Sequence, residues 1–181
     1  DLAGNTTVET VDYTVVYDTD APTVTVSANT QPNAAGWFNQ PVTYSFECDD
    51  PSGVAACPSP VTISTDGADQ TVTVTASDRF GNTADTIHSG INIDRTRPTI
   101  QATAPATVEP ADTLTINCSA TDALSGIAET DCATIQRDAT SLNPGLNTFT
   151  FTATDLAGNT TTTTTIVNLH VDIEGIAELI A

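Results

Sequence analysis

The chain has 181 residues, 39% of them hydrophobic, and sets 23 acidic residues against four arginines and no lysine, for a formal charge of −19 at pH 7. That balance excludes nucleic acid as a partner, because phosphate contacts need the opposite sign. No signal peptide or membrane-spanning run is present, nor a nucleophile elbow, phosphate loop or HExxH helix, so the chain is read as non-enzymatic.

Residues 1–17 place Val8, Val11, Tyr13, Val15 and Tyr17 among polar neighbours, which predicts the last strand of a preceding module. Asp18-Thr19-Asp20-Ala21-Pro22 then breaks that strand and opens a first module over residues 18–94. Within it, strands are expected at Val24 and Val26, at Val42, Tyr44, Phe46 and Cys48, at Val61 and Ile63, at Val72 and Val74, and from Ile87 to Ile93. Asp94-Arg95-Thr96-Arg97-Pro98 opens a second module over residues 95–172, with strands at Ile100, at Leu114 to Cys118, at Phe149 and Phe151, and at Ile166 to Leu169. Ile173, Ile176, Ala177 and Ile180 fall at helical spacing behind Asp172, predicting the start of a following helix over 173–181.

The two modules are linked by an internal repeat. Asp1-Leu2-Ala3-Gly4-Asn5-Thr6-Thr7 recurs unchanged as Asp155-Leu156-Ala157-Gly158-Asn159-Thr160-Thr161, and Asp78-Arg79-Phe80-Gly81-Asn82-Thr83 stands between them. The three aspartates are 77 residues apart both times, a period that means tandem copies of one small domain. Short alternating strands with frequent turn signals then predict an all-β chain of antiparallel β-sandwiches with a short helical start at its C-terminus.

Domains this small need staples. Cys48 with Cys57 and Cys118 with Cys132 form one close pair per module, and local pairing is the simplest of three connectivities. A zinc site is the rival, but no CxxC is present and His88 and His170 lie far off in sequence, where they read as strand residues. Disulfides imply an oxidising, extracytoplasmic setting.

Gly36-Trp37-Phe38-Asn39-Gln40-Pro41-Val42-Thr43, Ser52-Gly53-Val54 with Ser125-Gly126-Ile127, Thr73-Val74-Thr75-Ala76-Ser77-Asp78-Arg79-Phe80-Gly81-Asn82, and Asn92-Ile93-Asp94-Arg95-Thr96-Arg97-Pro98 carry a resemblance. The chain resembles the bacterial immunoglobulin-like modules found in tandem in surface adhesins and secreted multidomain enzymes, and the related hyalin repeats. Nearly the whole chain is covered, although the second module lacks the Gly-Trp element. The resemblance implies tandem immunoglobulin-like sandwiches with calcium at their junctions.

In that topology the loop of Asp49 and Asp50 meets the Asp78 loop, with Asn82, at the pole that Asp18 and Asp20 approach. The equivalent second set is Asp94, Asp122 and Asp155, with Asn159 offering an amide or backbone oxygen. Clustered carboxylates repel unless a cation or arginine lies among them, and calcium accepts about six to eight such oxygens. The competing reading makes D-x-x-G-N only a turn, its aspartate bonding backbone amides and its glycine taking positive φ. At the second junction Arg95 and Arg97 offer salt bridges in place of an ion. Trp37, the only tryptophan, either stacks on a sugar as a ligand-binding residue or caps the end of the core. Asn5, Asn117 and Asn159 fit the glycosylation acceptor rule, and Thr160–Thr165 suits an edge strand.

The expected role is a rigid spacer or adhesion stalk of a secreted or cell-surface prokaryotic protein. Two alternatives stand beside it: a subunit of an extracellular filament or surface layer built by strand exchange with neighbouring copies, and an accessory carbohydrate-binding module of a secreted enzyme. Expected partners are neighbouring modules of the same chain, neighbouring copies by strand addition, and glycans.

Overall fold

The computed structural model describes residues 2–14 and 17–172. The chain divides into two compact units. One comprises the residues up to Val26, Phe46–Ser59 and Thr73–Ile87, and the other comprises Ser27–Ser45, Pro60–Val72 and the residues from His88 onward.

The described residues are nearly all β. In chain order the strands are β1 (Thr23–Ala28), β2 (Trp37–Phe38), β3 (Val42–Asp49), β4 (Val54–Ala56), β5 (Val61–Ile63), β6 (Gly67–Asp78) and β7 (Thr83–Ile93). There follow β8 (Thr99–Thr103), β9 (Thr107–Val108), β10 (Thr113–Thr121), β11 (Ile127–Thr130), β12 (Ile135–Asp138), β13 (Gly145–Asp155) and β14 (Thr160–Leu169). A single turn of 3-10 helix, Ala139–Ser141, lies between β12 and β13.

These strands build four sheets, ordered β1-β3-β5, β2-β7-β6-β4, β8-β10-β12 and β9-β14-β13-β11. The second pair of sheets repeats the first strand for strand. Even the exceptions recur: β2 and β9 each pair in parallel with the last strand of their set, through Trp37 opposite Asn92 and Thr107 opposite Asn168.

In the larger unit, alternation along each strand turns one face inward. Leu114 and Ile116 of β10, Phe151 of β13, Val167 and Leu169 of β14 and Val108 of β9 form one buried cluster, with Ala139 and Leu142 closing it. Ile100, Ala102, Cys118, Ile135 and Phe149 pack against it, so the two sheets enclose a sandwich core. The same unit buries Phe38, Val42, Tyr44, Val72, Ile91 and Ile93, and the Tyr44 ring lies 4.6 Å from that of His88. Burial pushes the Tyr44 hydroxyl's pKa up.

The smaller unit buries Phe46 and Ala76, and with them Asp50 and Asp78. Both predicted cysteine pairs are disulfides, Cys48–Cys57 with a Cα separation of 5.8 Å and Cys118–Cys132 with 5.2 Å. Those distances suit a bridge, and no cysteine is left for zinc.

Every strand expected between residues 23 and 169 is present. The strand expected over residues 1–17 is not assigned in the described part of that segment, where Val8, Val11, Tyr13 and Tyr17 are exposed. Alternation alone does not make a strand, because the extended backbone needs an edge to bond. The helix expected over 173–181 lies outside the described residues. No helix among the described residues is long and apolar enough to cross a membrane.

Candidate functional site

The D-x-x-G-N sequences close the β6–β7 and β13–β14 hairpins. Asp78 N–H donates to the Asn82 carbonyl and Asp155 N–H to the Asn159 carbonyl, each at 3.0 Å. Gly81 and Gly158 both sit at φ 93°, where a side chain would be strained, so glycine is required by the turn. The aspartate then faces its own loop. Asp78 Oδ1 accepts from the Phe80 and Asn82 amides at 2.9 and 2.8 Å, and Asp78 Oδ2 accepts from Asn82 Nδ2 at 2.7 Å. Burial alone would raise the Asp78 pKa, but the Asn82 side chain and the amides of Asn82, Phe80 and Gly81 together hold it below the usual carboxylate range.

The asparagine has a second task that the turn reading misses. Asn82 Nδ2 also donates to the Asp18 carbonyl at 3.2 Å, and Asn159 Nδ2 donates to the carbonyls of Asp94 and Thr96 at 2.9 and 3.2 Å. Each loop therefore grips the peptide that leads into its own set of strands. The side chains of Asn82 and Asn159, expected among the ligands, act here as donors, while their backbone carbonyls accept from the amides of Asp78 and Asp155.

Two groups of carboxylates gather at these loops. Asp18, Asp50 and Asp78 bring one oxygen each within 4.8 Å of one another, and so do Asp94, Asp122 and Asp155. Asp20 and Asp49 stand outside: both are exposed, the Asp20 amide donates to Asp18 Oδ1 at 3.0 Å, and the Asp49 carbonyl accepts from Thr23 Oγ1 at 3.1 Å. Two unit charges at that separation repel by roughly 3–4 kcal/mol at an effective dielectric near 20, so each group calls for donors, a proton or a cation. Oxygens within about 4.8 Å can share an ion bound at about 2.4 Å, the calcium–oxygen distance.

Of the two linker arginines expected to neutralise the second group, Arg97 is exposed and Arg95 turns elsewhere. Arg95 Nε bonds Asp66 Oδ1 at 2.7 Å, and Asp66 Oδ2 accepts from Thr96 Oγ1 at 3.1 Å. Nearby, Asn33 Nδ2 donates to the Leu156 carbonyl at 2.8 Å. Asn33 lies in the β1–β2 loop, and Asp66 precedes β6. Neither was singled out in the sequence, because a lone asparagine or aspartate in a polar loop carries no pattern.

Trp37 is half-buried in β2, its backbone held by Asn33 through Trp37 N–H to Asn33 Oδ1 at 3.0 Å and Asn33 N–H to the Trp37 carbonyl at 2.9 Å. His170 Nδ1 meets Glu109 Oε1 at 2.9 Å on the exposed surface. Of the glycosylation acceptors, Asn5 and Asn117 are exposed, whereas Asn159 is half-buried and engaged in the contacts described. No family model matches this chain, and no curated protein matches it.

Proposed function

We propose that the chain is two consecutive immunoglobulin-like sandwiches, residues 18–94 and 95–172, serving as a non-catalytic spacer or adhesion stalk of a secreted or cell-surface prokaryotic protein. The observation that carries this reading is the fastening of the connecting peptide on both sides. Arg95 reaches back to Asp66, Asn159 reaches forward to the carbonyls of Asp94 and Thr96, and Asn33 bonds the Leu156 carbonyl. A peptide pinned at several points transmits direction from one module to the next, which is what a stalk needs. Two disulfides fit the extracellular setting. Calcium at the acidic poles fits it too, each ion drawing the incoming peptide onto the sandwich it enters.

Small-angle X-ray scattering tests the reading. The stalk reading predicts a narrow spread of module orientations for the wild-type chain and a broader one for a variant combining Asp66→Ala with Asn159→Ala. A wild-type profile requiring a wide ensemble of module orientations rejects the stalk.

The exposed Val8, Val11, Tyr13 and Tyr17 favour a second reading, in which this segment adds as a strand to a neighbouring copy and builds a filament. Concentration-dependent growth that stops when residues 1–17 are removed supports it, and a monomer at all concentrations dismisses it.

A further inference from the structure

The two acidic groups hold corresponding places, yet their oxygens are supplied differently. In the second, Asp94 Oδ1 accepts from the Thr96 amide at 2.9 Å and Asp94 Oδ2 from the Ser125 amide at 3.0 Å. Asp122 Oδ1 accepts from the Leu124 and Gly126 amides and the Ser125 hydroxyl, and both Asp155 oxygens accept from Asn159. The loop Asp122-Ala123-Leu124-Ser125-Gly126 is long enough to deliver the Ser125 amide across to Asp94.

The first group's loop, Asp50-Pro51-Ser52-Gly53, is one residue shorter and contains a proline, which has no N–H. The Ser52 amide and hydroxyl both go to Asp50 Oδ1, at 2.8 and 2.6 Å, instead of crossing to Asp18. Asp50 Oδ2 is left buried with no donor, in a side chain whose residue is only 8% exposed. A buried, unpartnered carboxylate oxygen is costly unless a cation completes it.

We infer that the first group is a divalent-cation site, with Asp50 Oδ2 as its central ligand and oxygens of Asp18 and Asp78 beside it, and that it binds more tightly than the second group. The all-oxygen donor set favours a hard ion of the calcium class over zinc. Comparing the two groups rests on the tandem-module reading, whereas the orphaned oxygen does not. Because the ion joins Asp18 of the incoming peptide to Asp50 and Asp78, its binding organises the entry to the first set of strands.

Calorimetric titration of calcium into the chelator-treated full chain tests this. A first phase of one equivalent is expected. It disappears in Asp50→Asn and in Asp18→Asn, the latter a half-exposed linker residue whose replacement spares the core, and it persists in Asp122→Asn. Circular dichroism of each variant reports whether the sheets are intact. No heat of binding, two equal sites, or a first phase lost with Asp122→Asn and retained in a folded Asp18→Asn variant overturns the inference. Each of those results leaves the scattering test of the stalk untouched, so the two proposals fail separately.

Discussion

Asn159 shows how much one side chain contributes when its acceptors have few other donors. Its amide reaches the Asp94 and Thr96 carbonyls and Asp155 Oδ2 while its backbone N–H reaches Asp155 Oδ1. Asn159→Ala keeps the backbone bond to Asp155 Oδ1 but removes the side-chain donor from Asp155 Oδ2 and from the Asp94 and Thr96 carbonyls, and is expected to cost about 1–3 kcal/mol in urea unfolding. A loss within error of zero would make the grip on the linker ornamental. Asp66 gives a pH dependence of known sign. The hydrogen bond from the Arg95 guanidinium holds its carboxyl below the ordinary 3.8, burial opposes, and Thr96 adds to the lowering. A folded-state value below the unfolded one means the contribution is fully present above the unfolded value and fades as pH falls through the folded one. Stability profiles of wild type and Asp66→Asn should therefore converge in acid below that point and separate above it. Parallel profiles throughout would deny the pair a role. Both partners are partly solvated, with side chains 40% and 27% exposed, so the separation is small.

At the level of strands, the long ones were legible because alternation fixes which face is buried. Val42, Tyr44 and Phe46 announce β3, and Leu114 with Ile116 announces β10. The two-residue strands β2 and β9 were not, since two residues have no period and these are held by parallel backbone pairing with the end of a distant strand. The carboxylate groups were legible in membership for six of the eight aspartates proposed, because strand direction sends Asp50, Asp78, Asp122 and Asp155 to the poles. Which neighbour each oxygen bonds depends on loop length to a single residue, as the shorter Asp50 loop shows, and that was not legible. The Arg95 side chain, turned to Asp66, was misjudged for the same reason. Two elements invite direct tests. Phe151 is 2% exposed within the second core, and Phe151→Ala should cost about 3–5 kcal/mol, read from the shift in chemical denaturation midpoint. Replacing Cys118 and Cys132 together by alanine should cost about 3 kcal/mol, from the extra freedom of the unfolded loop. Equal stability with and without the bridge would remove it from the list of staples.

Taken as a whole, the molecule repeats one strand order twice, and the buried cluster from Val108 to Leu169 draws all of its members from β9, β10, β13, β14 and the peptide between β12 and β13. Residues 95–172 expressed alone should therefore keep a β-type circular dichroism spectrum and a cooperative melt. A fragment that stays unfolded would show that the second set of strands depends on the first.

The placement of the disulfides has a consequence for a molecule that is pulled. The bridges tie together residues only nine and 14 positions apart, close to β3 and β10 and far from either end of their set of strands. When force unravels the strands, those short stretches stay closed, withholding roughly 30 and 50 Å of contour at about 3.4 Å per residue. Nearly all the remaining chain can still pay out, so an oxidised molecule under load yields most of its length as a shock absorber, and a reducing agent lengthens each step of the force–extension trace by the withheld amount.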